Sequence, residues 1–265
     1  MTSTHIYNKV RMWLRGCAPL GLTLLFLFSL SCRALAQPDR HVQNKPYIDL
    51  RPMHFGILVG VHLQDVEMTN VGPQLLPDAD GNLVEQEVYC DADKWNAGFL
   101  VGVLGELRLT SNFSLRVAPT MHFGAKHLTF LDRRHLDERG QPLRQTQDLK
   151  NTYVSLPIDL KFAAPRWNNY RPYVVAGINP TINLTGGEQD LVRLKRVNTM
   201  FEIGLGCDFY LPFFKLIPEL KFCFGLGNVL DTGHPDNLRD ANMQAYARSV
   251  SSASSKMVVL TFYFE

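Results

Sequence analysis

"YVSLPIDLKFAAPRWNNYRPYVVAGINPTINL" occupies Tyr153 to Leu184. Before the "RWNN" insert, Val154, Leu156, Ile158, Leu160 and Phe162 fall on one side of an extended chain. Tyr153, Ser155, Pro157, Asp159 and Lys161 fall on the other. After it, Pro172, Val174, Ala176, Ile178 and Ile182 oppose Arg171, Tyr173, Val175, Gly177 and Asn179. A period of two means strands with one apolar face, and the Asn-rich insert reads as a tight hairpin turn.

The same pattern recurs outward from this hairpin. Candidate strands are Met53–Val66, Trp95–Leu109, Phe113–Phe130, Lys150–Phe162, Arg171–Leu184, Val197–Leu211, Lys215–Val229 and Lys256–Glu265, eight in all. "TSN", "APRWNNY" and "PFF" make short links. Glu67–Lys94, Leu131–Leu149, Thr185–Arg196 and Leu230–Ser255 make long ones, so short and long alternate. Transmembrane barrels have an even strand number, short periplasmic turns and long external loops. Their strands need ~9–11 residues to cross a bilayer, against ~5–6 in the usual soluble strand. A sheet enters lipid only as a closed barrel, because every backbone group there must be bonded. The expected fold is therefore all-β: an eight-stranded antiparallel transmembrane barrel.

A soluble lipocalin-type barrel is the competing reading, since alternation alone does not say which face is inside. Three features favour lipid outside: the strands are long, the polar face is rich in charge and glycine, and aromatics gather near strand ends. Those aromatics are Phe55, Trp95, Tyr153, Trp167, Tyr170, Phe209, Phe213 and Phe264, as in interface girdles.

The first 36 residues differ from the rest. Lys9, Arg11 and Arg15 precede the apolar run Ala18–Leu30, and "ALA" closes the segment, so a cleavable export signal is expected with cleavage between Ala36 and Gln37. A lipoprotein reading, with Cys32 acylated, is weaker, because Leu30 and Ser31 fit a lipobox poorly. Gln37–Pro52 then forms a periplasmic arm, and 53–265 the barrel. The whole chain has 27 bases, 25 acids and a net charge of +2. The leader holds four bases and no acid, so the remainder carries 27 − 4 = 23 bases against 25 acids, a net of −2. That balance excludes a basic nucleic-acid surface. Cys90, Cys207 and Cys223 are the mature cysteines. Alternation puts Cys207 and Cys223 on opposite faces, where they cannot bridge.

With the polar face inward, Gly56, Gly60, Gly98, Gly102, Gly124, Gly177, Gly204, Gly206, Gly225 and Gly227 line the interior and leave room for large neighbours. Glu106, Arg108, Arg116, Asp159, Lys161, Arg171, Asp208, Glu219 and Lys221 gather there near the short turns, with Glu202 higher up: five acids and five bases. Eight strands enclose only enough space for side chains, and isolated charges there are costly. A mutually paired plug is expected rather than a pore. A proton or ion relay is the alternative role for the same residues. His54 and His62 lie ~26 Å apart along one strand and cannot share a metal. His122 and His127 lie on opposite faces. No metal, cofactor or small-molecule substrate is expected.

In the first long loop "PDADGN" reads as a turn, lacking the full calcium-loop spacing. "LDRRHLDERGQPLRQ" reads as a wet, charged loop. "PDNLRDANMQAYARSV" has helical spacing of Leu238, Met243 and Tyr246, with Asp236 as a candidate cap.

"YIDLRPMHFGILVGVHLQDV", "YVSLPIDLKF…NNYRPYVVAGIN" and "VLTFYFE" together resemble the PorT family of Bacteroidetes outer-membrane proteins. The resemblance spans essentially the whole mature chain, and "NNYRPY" after a Leu-Pro-hydrophobic strand is its most specific part. It implies outer-membrane localisation and a non-catalytic part in type IX protein secretion, with membrane lipid and other secretion proteins as partners. It supplies no active-site motif. Two alternatives stand beside it. One is a structural or adhesive barrel. The other is a lipid-modifying enzyme using His127 with Ser155 or Glu188 near the rim.

Overall fold

The computed structural model describes residues 42–77, 83–92, 95–136, 140–185, 191–237 and 241–265. The expected signal cleavage at Ala36 and Gln37, the "PDADGN" turn at 77–82 beyond Pro77, and Glu188 lie outside them.

Thirteen strands are described: β1 (Met53–Asn70), β2 (Gln74–Pro77), β3 (Leu83–Gln86), β4 (Val88–Asp91), β5 (Asn96–Arg108), β6 (Phe113–Val117), β7 (Thr120–Leu136), β8 (Pro142–Ser155), β9 (Ile158–Ala163), β10 (Tyr170–Asn183), β11 (Val197–Tyr210), β12 (Lys215–Gly225) and β13 (Val250–Phe264). A short helix, α1, spans Ala241–Ala247. Eleven strands form one sheet, with every pairing antiparallel. β1 lies between β13 and β5. β5 pairs with both β6 and β7, these pair with β9 and β8, and both of those pair with β10. β10 then meets β11, β11 meets β12, and β12 returns to β13. The pairings thus close on themselves in a ring.

Two expected strands are interrupted, each beside a proline that has no N–H to give the ladder. The breaks fall at Ala118–Pro119 and Leu156–Pro157. The carbonyls still bond across: Ala118 N–H donates to Pro157 O at 3.2 Å and Val103 N–H to Pro119 O at 3.1 Å. Alternation is preserved through both breaks. The "RWNN" turn is a two-residue hairpin closed by Trp167 and Tyr170, which donate to each other's carbonyls at 3.0 and 3.1 Å. Asn168 adopts a φ of +55°, a conformation asparagine tolerates well.

The long-loop end departs from expectation. "LDRRHLDERGQPLRQ" is mostly ladder, because β7 and β8 stay paired out to Leu136 and Pro142. β13 begins at Val250, earlier than Lys256, and β12 ends at Gly225, before Val229. β2 and β3 form a small hairpin across the first loop, and β4 adds to the outer part of β7. Asp236 lies in a 3₁₀ turn, His234–Asn237, and not at the cap of α1.

Burial is inverted relative to a water-soluble protein. Phe55 is 70% exposed, Leu205 57% and Val174 53%, while Arg116 and Asp208 are fully buried. Among the girdle aromatics, Trp95, Trp167, Phe209 and Phe213 are exposed. Tyr153 is not one of them: it points inward and is buried, as its position opposite Val154 dictates. Cys90, Cys207 and Cys223 are free thiols, with Cys223 buried and Cys207 only partly so.

Candidate functional site: an ion network inside the ring

The interior near the short turns is filled by charge. Arg116 of β6 donates to Glu106 of its neighbour β5 at 2.9 and 3.2 Å, and pairs across the interior with Glu219 of β12. The phenols of Tyr173 and Tyr263 donate to the same Glu219 at 2.6 and 2.7 Å. Lys161 donates to both oxygens of Asp208 at 3.0 Å and lies 3.5 Å from Glu106. Lys221 joins Asp159, Glu202 (2.9 Å) and Glu219 (3.4 Å). Eight of the ten residues expected in the lumen cluster are therefore assembled and buried.

Arg108 and Arg171 do not join it. Alternation aims them inward, but each sits at a strand end where a long side chain reaches the rim. Arg108 donates to Leu50 O at 3.2 Å, and Arg171 to Ala164 O at 2.8 Å and Ser111 O at 2.6 Å. Lys215 takes part instead. As the first residue of β12 it reads like a turn residue, yet it is buried between Asp208 (3.1 Å) and Glu265 (3.2 Å). Glu265 also pairs with His54.

Glycines make the space, as expected. A Cβ at Gly206 would collide with the Tyr173 phenol, and one at Gly177 with the Asp159 carboxylate. Higher up, His62 faces Gly98, which faces Gly124. The imidazole of His62 lies over these two glycines and approaches His122 at 5.2 Å between centroids. His122 stacks on Tyr153 at 4.3 Å and bonds Ser155 Oγ at 3.0 Å. The register of glycines opposite His62 was the available sequence signal for this cluster. Ser155 thus belongs with His122, not His127. The latter pairs with Asp148 on the opposite face of the sheet.

The segment Gln43–Pro52 lies against the short-turn end. Asn44 N–H donates to Asn169 Oδ1 at 2.9 Å, and its side chain to Tyr210 O at 3.0 Å. The Tyr210 hydroxyl donates to Asp49 at 2.7 Å, and Arg166 stacks over the Tyr210 ring at 3.6 Å. At the other end the filling is apolar. Val66, Val88, Cys90, Leu128 and Phe130 meet Leu191, Val192, Val229 and Leu230 from the connecting segments. Two interior cavities measure about 40 and 20 Å³, room for only a few waters.

Residues 35–231 match the family described as outer membrane protein beta-barrel domain. The chain belongs to this family. Its location is accordingly the outer membrane. Several solved structures are similar at low identity. OprG from Pseudomonas aeruginosa is 11% identical, with a TM-score of 0.44, over 79% of this chain and 93% of that one. Neisserial surface protein A is 10% identical, with a TM-score of 0.38, over 80% and 98%. Ail of Yersinia pestis, in complex with the heparin analogue sucrose octasulfate, is 13% identical, with a TM-score of 0.35, over 81% and 99%. No curated protein matches the chain.

Proposed function

We propose that the ring is an eight-stave transmembrane barrel with a sealed lumen. β6 with β7, and β8 with β9, each count as one stave. It serves as a non-catalytic component or accessory of type IX protein secretion. The observation carrying the sealed barrel is the inverted burial: apolar side chains face outward, and the Arg116–Glu219 network fills the interior. An outward apolar band satisfies lipid, and a closed ladder leaves no edge in it. Paired charge and docked arm block the short-turn end, which supports a scaffold over a channel. The secretion role rests on the PorT resemblance. Its partners are outer-membrane lipid and other proteins of that machinery, met through the loops or the periplasmic turns.

Deleting the gene tests the role: cargo bearing the C-terminal signal domain should remain in the periplasm, and normal secretion would refute it. The sealed lumen is tested separately in planar bilayers, where the folded protein should show no steady conductance. A structural or adhesive role is the second reading, favoured by the β7–β8 hairpin, whose paired strands extend out to Leu136 and Pro142. Lipid chemistry by His127 and Ser155 has no geometric support, since they occupy opposite faces.

A further inference from the structure

Among the described residues five bases are buried within the ring, and four of them are neutralised. Arg116, Lys161, Lys215 and Lys221 each lie within 4.0 Å of a carboxylate. Lys126 of β7 is the exception. It is 5% exposed, and no carboxylate of the described residues lies within ion-pair distance. Nor does its ammonium donate to any of them. Its position is not an accident of the rim, because it lies further from the short-turn end than His122 and points inward.

Lys126 lines the 40 Å³ cavity, between the strands and the segment at 194–196. Gln64, Thr181 and Asn198 contribute amides and a hydroxyl to the wall, and Lys195 and Arg196 close it from the loop side. Among the described residues the wall contains no acid. Arg196 is exposed and, among the described residues, unpaired, whereas Lys195 donates to Asn228 O at 2.8 Å. A second hollow of about 390 Å³ adjoins the first, sharing Asn183, Leu194 and Arg196. Among the described residues its one acid, Asp231, is already held by two bonds from Arg193, at 2.7 and 3.0 Å.

A buried ammonium without a counter-ion costs several kcal/mol, and every other such group in this interior has been given one by the chain. We propose that the counter-ion of Lys126 comes from outside: the cavity is an oxyanion site, with Lys126 as its floor and Arg196 as its gatepost. The chemistry is that of a phosphate group. A 40 Å³ cavity is about three times what one water requires, which suits a tetrahedral oxyanion and excludes a sugar or a base. The adjoining hollow is large enough to hold the remainder of a phosphomonoester. The ligand is therefore free phosphate or the phosphate end of a larger molecule. This site depends on the ring and its mouth, and not on the secretion role.

Titration of the detergent-folded full chain with inorganic phosphate, followed calorimetrically at constant ionic strength against chloride, tests it. Saturable binding is expected for phosphate and none for chloride. Lys126→Met retains the aliphatic stem and should weaken binding at least tenfold. Arg196→Gln, on the exposed rim where folding is not at stake, should weaken it several-fold. Glucose 1-phosphate competing with phosphate identifies a phosphomonoester-bearing ligand, and failure to compete identifies the free ion. Absence of saturable binding, or unchanged affinity in Arg196→Gln, overturns the site.

Discussion

The two ends of the interior solve the same filling problem with opposite chemistry. Near the short turns, strands supply everything. Acids and bases alternate with glycine and tyrosine, and each of the eight clustered charges meets a partner on another strand. Near the long loops, Leu128 and Phe130 point inward and the connecting segments fold in to cover them with Leu191, Val192, Val229 and Leu230. The first region is inverted, with oil outside and ions inside. The second resembles the core of a soluble protein, set on top of the ring. The difference follows from the surroundings. Where lipid takes the apolar face, the interior must be polar to keep the alternation. Where strands rise past the lipid, apolar side chains return to the centre.

Breaking the ionic half should cost most. Arg116→Ala removes the cation that bridges Glu106 and Glu219 and leaves them only the more distant Lys161 (3.5 Å) and Lys221 (3.4 Å), a loss of about 3–5 kcal/mol. Urea unfolding of the vesicle-inserted protein, read by heat-dependent gel mobility, measures it. Replacing all three together, with Met at 116 and Gln at 106 and 219, should recover most of the loss, since a buried ion cluster is often replaceable at little cost. Failure of the triple variant to recover would show that the network holds the staves in register, beyond merely filling space.

The apolar half should yield a smaller and more local effect. Phe130 is fully buried and packs edge-on against Tyr246 at 5.8 Å. Phe130→Ala removes ~3 kcal/mol of packing, but the segments it frees are not part of the ring. Limited proteolysis should therefore cut Phe130→Ala between Gly225 and Val250 while its gel mobility stays that of the folded form. Arg116→Ala should show the reverse. Equal behaviour of the two variants would erase the distinction between the regions.

Much of this contrast was legible in the sequence, and its limits have physical causes. Period-two alternation identified the ladders to within a few residues over β1, β5, β10 and β11, because lipid enforces a strict pattern on the outward face. It also placed eight of the ten charges correctly. Arg108 and Arg171 failed because parity fixes where a side chain starts, while a long arginine at a strand end snorkels to the rim. Lys215 was missed for the converse reason, since a strand's first residue carries no pattern on one side. The apolar cap was hidden because Leu191, Val192, Val229 and Leu230 come from segments without periodicity. The polar composition of Leu131–Leu149 reads as loop, although β7 and β8 stay paired out to Leu136 and Pro142, past the lipid, where the outward face is free to be wet.

The smallest effect tests how the cap is tied down. Asp231 follows Leu230, which bridges to Leu194, and Arg193 clamps it by two bonds at 2.7 and 3.0 Å. The hydrogen bond from Arg193 is the main reason its carboxyl is held below the ordinary aspartate value. A carboxyl depressed on folding stabilises above the ordinary value of ~3.9, and the contribution is lost as the pH falls through the lower, folded value. The pair is half-exposed, so its worth is only about 0.2–1 kcal/mol. Asp231→Asn should accordingly leave global unfolding unchanged and raise the rate at which the segment beyond Gly225 is nicked at pH 7. Pepsin digestion should show the wild type approaching the variant as the pH drops below the aspartate range, with the variant itself indifferent to that change. A wild type that held its advantage at pH 2 would show that Arg193 grips the cap through something other than this carboxylate.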